Sequence, residues 1–320
     1  MLQLSKFPIK TLKSAPKVSD NKSTSYLLQA WFIRQEMAWV YNYLPLWLRV
    51  LRKIENVIRQ EMNSIWAQEI LMWSLSNKES WEKTKRWDSV DVLFKFEWAW
   101  GKEYWLNPTH EEVVTPLMQE FIQSYKDLEN MAVYQFQNKF RNEKRAKSGL
   151  LRGREFLMKD LYSFHKNQDD LDTYFEEVRK AYLNVFSRLW IGDDTLYAFA
   201  SWWAFSKYSY EFQTKLWIWE DNIYVCLDCK QAHNDEIVWE NFECVNCKSN
   251  QYEIVKTSEV GNIFKLWTKF SDSFGLKYAD SEWKTNSIIM WCYGIWVSRL
   301  MWVIAEYFMD DKGLVWPENI

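Results

Sequence analysis

Glycine is the one residue that enters the left-handed region of backbone space without strain, so a chain needs it to end helices and close hairpins. This chain has only 8 glycines in 320 residues, against an ordinary share of roughly 7%. Tryptophan, at 22 residues, has taken that share. The indoles do not follow the spacing of one helix or strand face. In "KLWTKFS", "LWIWEDN" and "DSEWKTN" they stand beside turn residues, in contexts that suit glycine. The pattern predicts tryptophan at positions whose backbone is built for glycine.

Between those positions the periodicity is ordinary. "LPLWLRVLRKIENVIRQEMNSI" places Leu48, Leu51, Ile54, Ile58, Met62 and Ile65 at spacings of three and four, which predicts an amphipathic helix. "AQEILMWSL" reads as a short buried strand and "NKESWEKTKRW" as a polar helix or loop. In "YQFQNKFRNE", Tyr134, Phe136 and Phe140 share one side of a strand, while Lys139, Arg141 and Glu143 share the other. "KRAKSGLLRGR" then holds five cations with Gly149 and Gly153, and "EFLMKDLYSF" resumes as a strand. Together they predict a hairpin with a long basic loop. The helix "QDDLDTYFEEVRKAYLNVFSRL" follows, its acids near the start favoured by the helix dipole.

With 26% charged and 48% hydrophobic residues, the chain can form one large domain or two smaller ones. A net charge of -3 excludes general nucleic-acid binding by charge alone and leaves only a local basic patch. There is no apolar run long enough to span a membrane, and "MLQLSKFPIK" lacks a signal peptide's apolar core. A cytoplasmic location is expected.

The strongest chemical signal is Cys226-x2-Cys229, then fourteen residues, then Cys244-x2-Cys247. Two such pairs fit tetrahedral Zn²⁺, and four thiolates leave no open position, so the expected role is structural. Disulfides are the alternative. His233 is expected outside this shell, and Cys292 as a small buried residue. Arg141 and Glu143 could grip a phosphate or carboxylate and a base amino group, or form a surface ion pair. "NPTHEE" offers the Thr109 hydroxyl and the Glu111 carboxylate to an amino group, or serves as a turn and helix cap.

In this order the pieces resemble a class II aminoacyl-tRNA synthetase of the bacterial prolyl type. "YNYLPLWLRVLRKIENVIRQEM" is similar to the family's motif 1 helix, "PTHEE" to its amino-acid loop, "FRNE" with "RGREFLMKD" to motif 2, and "MWCYGIWVSRL" to motif 3. The resemblance implies an α+β fold, a mixed and mainly antiparallel sheet flanked by helices. The catalytic domain would occupy 1–222 and 254–320, with a zinc-ribbon-like insertion at 223–253 in place of the family's editing domain. It implies activation of L-proline with ATP and Mg²⁺, transfer to tRNA(Pro), and a homodimer built on motif 1.

Residue by residue, the resemblance implies that Arg141 holds the ATP α-phosphate and the prolyl carboxylate. Glu143 would bind the adenine amino group, Phe156 would stack on adenine, and Arg299 would bind the γ-phosphate. Arg152, Gly294 and Trp296 complete the expected ATP site. Thr109 and Glu111 would take the proline ammonium, with His165 and Tyr210 near the proline pocket. Two positions depart from the pattern: Trp73 replaces the proline that ends motif 1, and Tyr210 stands in "SYEF" where the family has "SHEF". The sequence ends at "GLVWPENI", where relatives enter an anticodon-binding domain. A synthetase-like paralogue without catalysis, a related enzyme for threonine, and a zinc-ribbon nucleic-acid module are the alternatives.

Against the same pattern, Trp31, Trp39, Trp47, Trp66, Trp190, Trp202, Trp267, Trp283, Trp291 and Trp296 stand at family glycines, with Trp217 and Trp219 as further candidates. Restoring these twelve would raise glycine from 8 to 20. Trp81, Trp87 and Trp316 fall where the family also has tryptophan. One cause would account for both sets: UGA codons that specify glycine, rendered here as tryptophan. In the chain as written, Trp296 is expected to project against the ATP site and Trp202 into the proline side.

Overall fold

The computed structural model describes residues 6, 7, 10–14, 21–38, 40–143, 151–201, 208–218, 221–238, 241–318 and 320. The 144–150 portion of the basic loop, Trp39, Trp202 and Trp219 lie outside the described residues. Helix α1 (Lys22–Gln29) and the hairpin of β1 (Ile33–Met37) and β2 (Val40–Tyr43) lead into α2 (Pro45–Ser64). Strands β3 (Gln68–Glu69) and β4 (Leu75–Asn77), α3 (Lys78–Lys83), β5 (Phe94–Glu97), β6 (Glu103–Leu106) and α4 (Glu111–Met118) follow. The long hairpin of β7 (Ala132–Phe140) and β8 (Glu155–His165) precedes α5 (Gln168–Arg188) and β9 (Thr195–Ser201). Next come β10 (Tyr208–Lys215), β11 (Asp221–Cys226), β12 (Ala232–Asn234) and β13 (Tyr252–Trp267). Helix α6 (Lys269–Phe274), β14 (Lys277–Ala279), β15 (Thr285–Ser287), β16 (Ile289–Ile295) and α7 (Val297–Phe308) complete the order.

One nine-stranded sheet, in the order β10-β9-β12-β11-β13-β16-β8-β7-β3, organises the molecule. Its pairs are antiparallel except β3 with β7 and β9 with β12. Successive side chains of a strand face opposite ways, and β16 shows the result. Trp291, Tyr293 and Ile295 pack into the larger core with α2, α5 and α7, whereas Met290 and Cys292 join a second core with α4 and α6. The expected 223–253 segment grows out of this sheet, because β11 and β12 are hydrogen-bonded into it.

Helix α2 starts with Pro45 in its first turn, where the missing N–H costs nothing. It buries Leu51, Ile54, Ile58 and Met62 as its period requires, but Leu48 is turned to solvent. "AQEILMWSL" is a correction: only Gln68 and Glu69 pair with the sheet, and both are exposed. Beyond them the chain hangs on side chains of β7, the Met72 N–H donating to Gln135 Oε1 at 2.9 Å. Strand β7 stops at Phe140, so Arg141 and Glu143 stand just past its end instead of on its face.

The backbone tests the glycine contexts directly. Trp31, Trp66, Trp190, Trp267 and Trp283 have φ of 62°, 63°, 63°, 52° and 64°. A sixth tryptophan, Trp100, has φ 79° beside Gly101 in the β5–β6 turn, a position the sequence pattern did not single out. Trp81, Trp87 and Trp316 are absent from this group. After α1, α2 and α5 the same hydrogen-bond pattern recurs: Trp31, Trp66 and Trp190 each donate to the carbonyl three residues back, and the next residue donates five back. Helix α6 ends with that pattern around Gly275, at φ 71°. This is the left-handed helix stop that glycine fills. Packing does not compensate at Trp66, Trp190 and Trp283, which are 69%, 56% and 88% exposed. Trp47 and Trp291, by contrast, are buried in the core, with indole N–H groups that find no acceptor.

Trp66→Gly and Trp190→Gly are each expected to stabilise the fold by about 1 kcal/mol, read as a higher denaturant midpoint at unchanged m-value. Trp81→Gly, which removes a ring packed 5.1 Å from Trp105, should instead cost about 3–5 kcal/mol.

Candidate active site

On the sheet face opposite α2, α5 and α7 lies a cleft of about 450 Å³, lined by Thr109, Glu111, Arg141, Glu143, Arg152 and Trp296 among others. Residues far apart in sequence meet here because β7, β8, β10 and β13 each send alternate side chains to this face. A second cleft, of about 560 Å³, lies beside α2 and the β1–β2 hairpin; of the expected site side chains only Phe156 lines it.

At one end, the loop entering α4 carries the amine-binding candidates. The Thr109 hydroxyl donates to the Glu111 carboxylate. Arg86 lies 3.7 Å from that carboxylate and 2.8 Å from Glu112, which also accepts from the Thr84 hydroxyl at 2.9 Å. Beneath the loop His110 is fully buried. Its Nε2 faces the Trp73 carbonyl at 3.2 Å and its Nδ1 faces the Lys139 ammonium, which also pairs with Asp160. Burial, reinforced by the Lys139 charge, pulls the His110 pKa down to about 2. The ring is therefore neutral, with Nδ1 accepting from Lys139 and Nε2–H donating to Trp73.

At the other end, the Trp296 indole stacks on Phe156, with ring centroids 4.8 Å apart and planes at 24°. The Arg299 guanidinium lies 3.2 Å from the Trp296 ring centre, and that of Arg141 lies 5.2 Å away. Arg299 is buried, its Nε donating to the Leu151 carbonyl and one Nη to the Glu259 carbonyl, each at 2.9 Å. Burial also lowers the Arg141 pKa, partly opposed by Glu259. Gly294 pairs with Asn262 across β13 and β16, and a Cβ there would come within 2.6 Å of Asn262 Oδ1 and 2.3 Å of the Met158 methyl. Only glycine fits.

Two expected residues lie elsewhere. His165 sits at the end of β8, held by Ser163 at 2.7 Å and Asp170 at 3.3 Å, and lines a separate small pocket with Tyr174. Tyr210 points to the helix face, stacked on Tyr197 at 5.2 Å and packed against Phe175. Its neighbour Glu211 lines the cleft instead. Glu211, Glu259, Asp160, Asn262 and Arg86 also line the cleft without a motif to mark them; strand alternation in "SYEF" is the signal available for the first. Burial, then the nearby Glu259 charge, raises the Glu211 carboxyl well above the ordinary range.

The four cysteines converge as their spacing predicts. Their ligand atoms all lie within 4.8 Å of one another, with two sulphur pairs at 3.5 Å. A Zn–S bond of about 2.3 Å gives a tetrahedral edge of about 3.8 Å, so the set fits a tetrahedral ion. His233 Nε2 is 3.4 Å from Cys244 Sγ, a hydrogen-bonding distance that leaves the ring outside the thiolate shell.

Residues 94–308 match the model of the tRNA synthetase class II core domain (G, H, P, S and T). A proline–tRNA ligase of Anaplasma marginale is 34% identical over 337 aligned positions, covering 100% of this chain and 78% of the relative. The probable mitochondrial proline–tRNA ligase of Schizosaccharomyces pombe is 37% identical, covering 92% of this chain and 70% of its own length. Among solved structures, the prolyl-tRNA synthetase of Cryptosporidium parvum complexed with L-proline and AMP superposes with a TM-score of 0.72 at 14% identity, over 93% of this chain. That of Giardia lamblia in complex with prolyl-adenylate gives 0.68 at 18% identity, over 92%. The chain spans about half the length of these two proteins, 53% and 54%. With the motifs, the sheet and the cleft in one arrangement, the chain belongs to the proline–tRNA ligases, within the class II tRNA synthetase core family.

Proposed function

We propose that this chain is the catalytic core that activates L-proline with ATP and transfers it to tRNA(Pro). The single observation that carries the reading is the cleft itself, which brings Thr109 and Glu111 together with Arg141, Glu143 and Trp296, the Trp296 ring lying against Phe156 and Arg299. The amino acid's carboxylate attacks the α-phosphorus, pyrophosphate leaves, and a tRNA ribose hydroxyl then takes the aminoacyl group from the adenylate with release of AMP. No protein nucleophile is needed. Glu111 answers the ammonium, Arg141 bridges the attacking carboxylate and the α-phosphate, and Arg299 takes the γ-phosphate, so the work is positioning and charge stabilisation. Mg²⁺, bound with ATP, would neutralise phosphate charge.

The finer parts of the reading have their own support. Four converging thiolates favour structural Zn²⁺. Exposed Leu48, Leu71, Trp73 and Leu75, on and after α2, offer an apolar surface for the second copy of a homodimer. Among the described residues, no helix is long and apolar enough to cross a membrane, in keeping with a cytoplasmic enzyme.

In the chain as written, Trp296 fills the slot assigned to adenine, against Phe156 and beneath Arg141 and Arg299. We take glycine to be the working residue there and at Trp31, Trp66, Trp100, Trp190, Trp267 and Trp283, whose backbone supports it. The codons test this: UGA at these positions with UGG at Trp81, Trp87 and Trp316 agrees, and UGG throughout sinks it.

Amino-acid-dependent ATP–pyrophosphate exchange tests the activity. The Trp296-containing chain should be at least ~100-fold slower than a variant restored to glycine at the positions above. In the restored protein proline should support exchange over threonine, serine and alanine, and Arg141→Ala should abolish it. Exchange with threonine alone would overturn the substrate. A second expectation concerns the support beneath the amine-binding loop. The folded pKa of His110, about 2, lies below its ordinary 6.5, so its neutral state favours folding fully above pH 6.5 and progressively less as pH falls. By pH 5 the loss should reach about 2 kcal/mol, and His110→Gln should flatten that slope in denaturant unfolding.

A further inference from the structure

The four-cysteine centre and the substrate cleft share one short strand. Each cysteine pair forms the same turn: Lys230 N–H donates to the Cys226 carbonyl and Lys248 N–H to that of Cys244, both at 3.0 Å. The two lysines, each four residues after the first cysteine of its pair, have φ of 60° and 65°. These twin turns aim four sulphurs at one point. Directly after the first turn the chain runs into β12, only three residues long, hydrogen-bonded between β11 and β9.

Every residue at the end of this strand is engaged on one side or the other. His233 reaches back to Cys244 Sγ at 3.4 Å and stacks on Phe199. Asn234, buried, sends its Nδ2–H forward to Glu211 Oε2 at 3.0 Å, inside the cleft. Glu236, in the helical turn that follows, lines the same cleft and accepts from the Ser201 hydroxyl at 2.7 Å. Neighbouring residues of β12 thus touch the thiolate cluster and the cleft wall.

We propose that a metal ion held by Cys226, Cys229, Cys244 and Cys247 is a positioning element of the substrate cleft. By closing the two turns it seats β12, so that Asn234 fixes the Glu211 carboxyl and Glu236 completes the wall. The proposal rests on the reading of the cysteines as a zinc centre. Glu211 and Asn234 are positioning residues here, since they act through the wall and no contact with a reacting atom is assigned to them. Without the ion, a three-residue strand keeps its register only through its flanking hydrogen bonds, the packing of Ala232 on Ala198, Ile223 and Val225, and the ring contacts of His233.

The test is hydrogen–deuterium exchange by mass spectrometry on the full chain, before and after chelation, with metal content measured by elemental analysis. The expected result is stoichiometric zinc as purified. Chelation should then accelerate exchange about tenfold or more in residues 232–238 and also in β10, residues 208–215, while α2 and α7 keep their protection. Asn234→Ala should retain the zinc and reproduce the change in β10 alone. Metal-free protein with the cysteines paired as disulfides would overturn the zinc reading and the proposal with it. Bound zinc, with the chelation effect confined to 221–231 and 241–251, would leave the zinc reading standing and overturn the proposal.

Discussion

The alternation of side chains across one nine-stranded sheet decides where everything else in this protein can go. A strand that buries Tyr293 and Ile295 against helices must present Cys292 and Gly294 to the other face. The same rule sends Leu161 into the core and Asp160 into the cleft, and it puts Phe212 beneath α5 while Glu211 lines the wall. Charge can accumulate in the cleft because the opposite face buries enough apolar surface to hold the strands together. The charged lining of the cleft is the polar remainder of a packing solution. Moving any one strand by a single residue would exchange core for chemistry along its whole length.

A second constraint is backbone handedness. Three helices end in one hydrogen-bonded stop, and the chain's own Gly275 shows what that stop prefers. The fold has kept the left-handed turns and placed indoles in them, with most of the ring area in water at Trp66 and Trp283. At Trp296 the cost takes another form. The backbone there is not left-handed, but the ring fills the space between Phe156 and Arg299. Shape and electronic character agree: an aromatic plate between an aromatic ring and a guanidinium is held by stacking on one side and by cation–π attraction on the other.

Much of this was legible in the sequence because it depends on local pattern. The period of α2 and α5, the convergence of the four cysteines, the Thr109–Glu111 pair and the turn character at Trp31, Trp66, Trp190, Trp267 and Trp283 all follow from short stretches of chain. What escaped depends on partners distant in sequence. "AQEILMWSL" has the composition of a strand, but its pairing with β7 ends after two residues and the Gln135 amide holds it instead. His165 and Tyr210 were assigned by analogy of position, and the structure turns the one toward Asp170 and the other toward Tyr197. Glu259 and Asn262 lie in the middle of β13, where nothing local distinguishes a cleft carboxylate from a solvated one. Trp100 was hidden by its own neighbour, since Gly101 already explained the turn.

Strand β13 has a further consequence. Over sixteen residues it pairs first with β11 and then with both β10 and β16, so that β10, β9, β12, β11 and β13 close on one another in a ring. A sheet that closes at one end offers no open row of amides there. At its other end stands β3, two residues long. Unsatisfied strand edges are templates for other chains; the ring gives each of its five strands two strand partners, while β3 covers β7 only at Val133 and Tyr134. A protein with so many apolar rings at its surface is at risk of edge-to-edge aggregation, and the closed ring lowers the backbone half of that hazard at this end of the sheet.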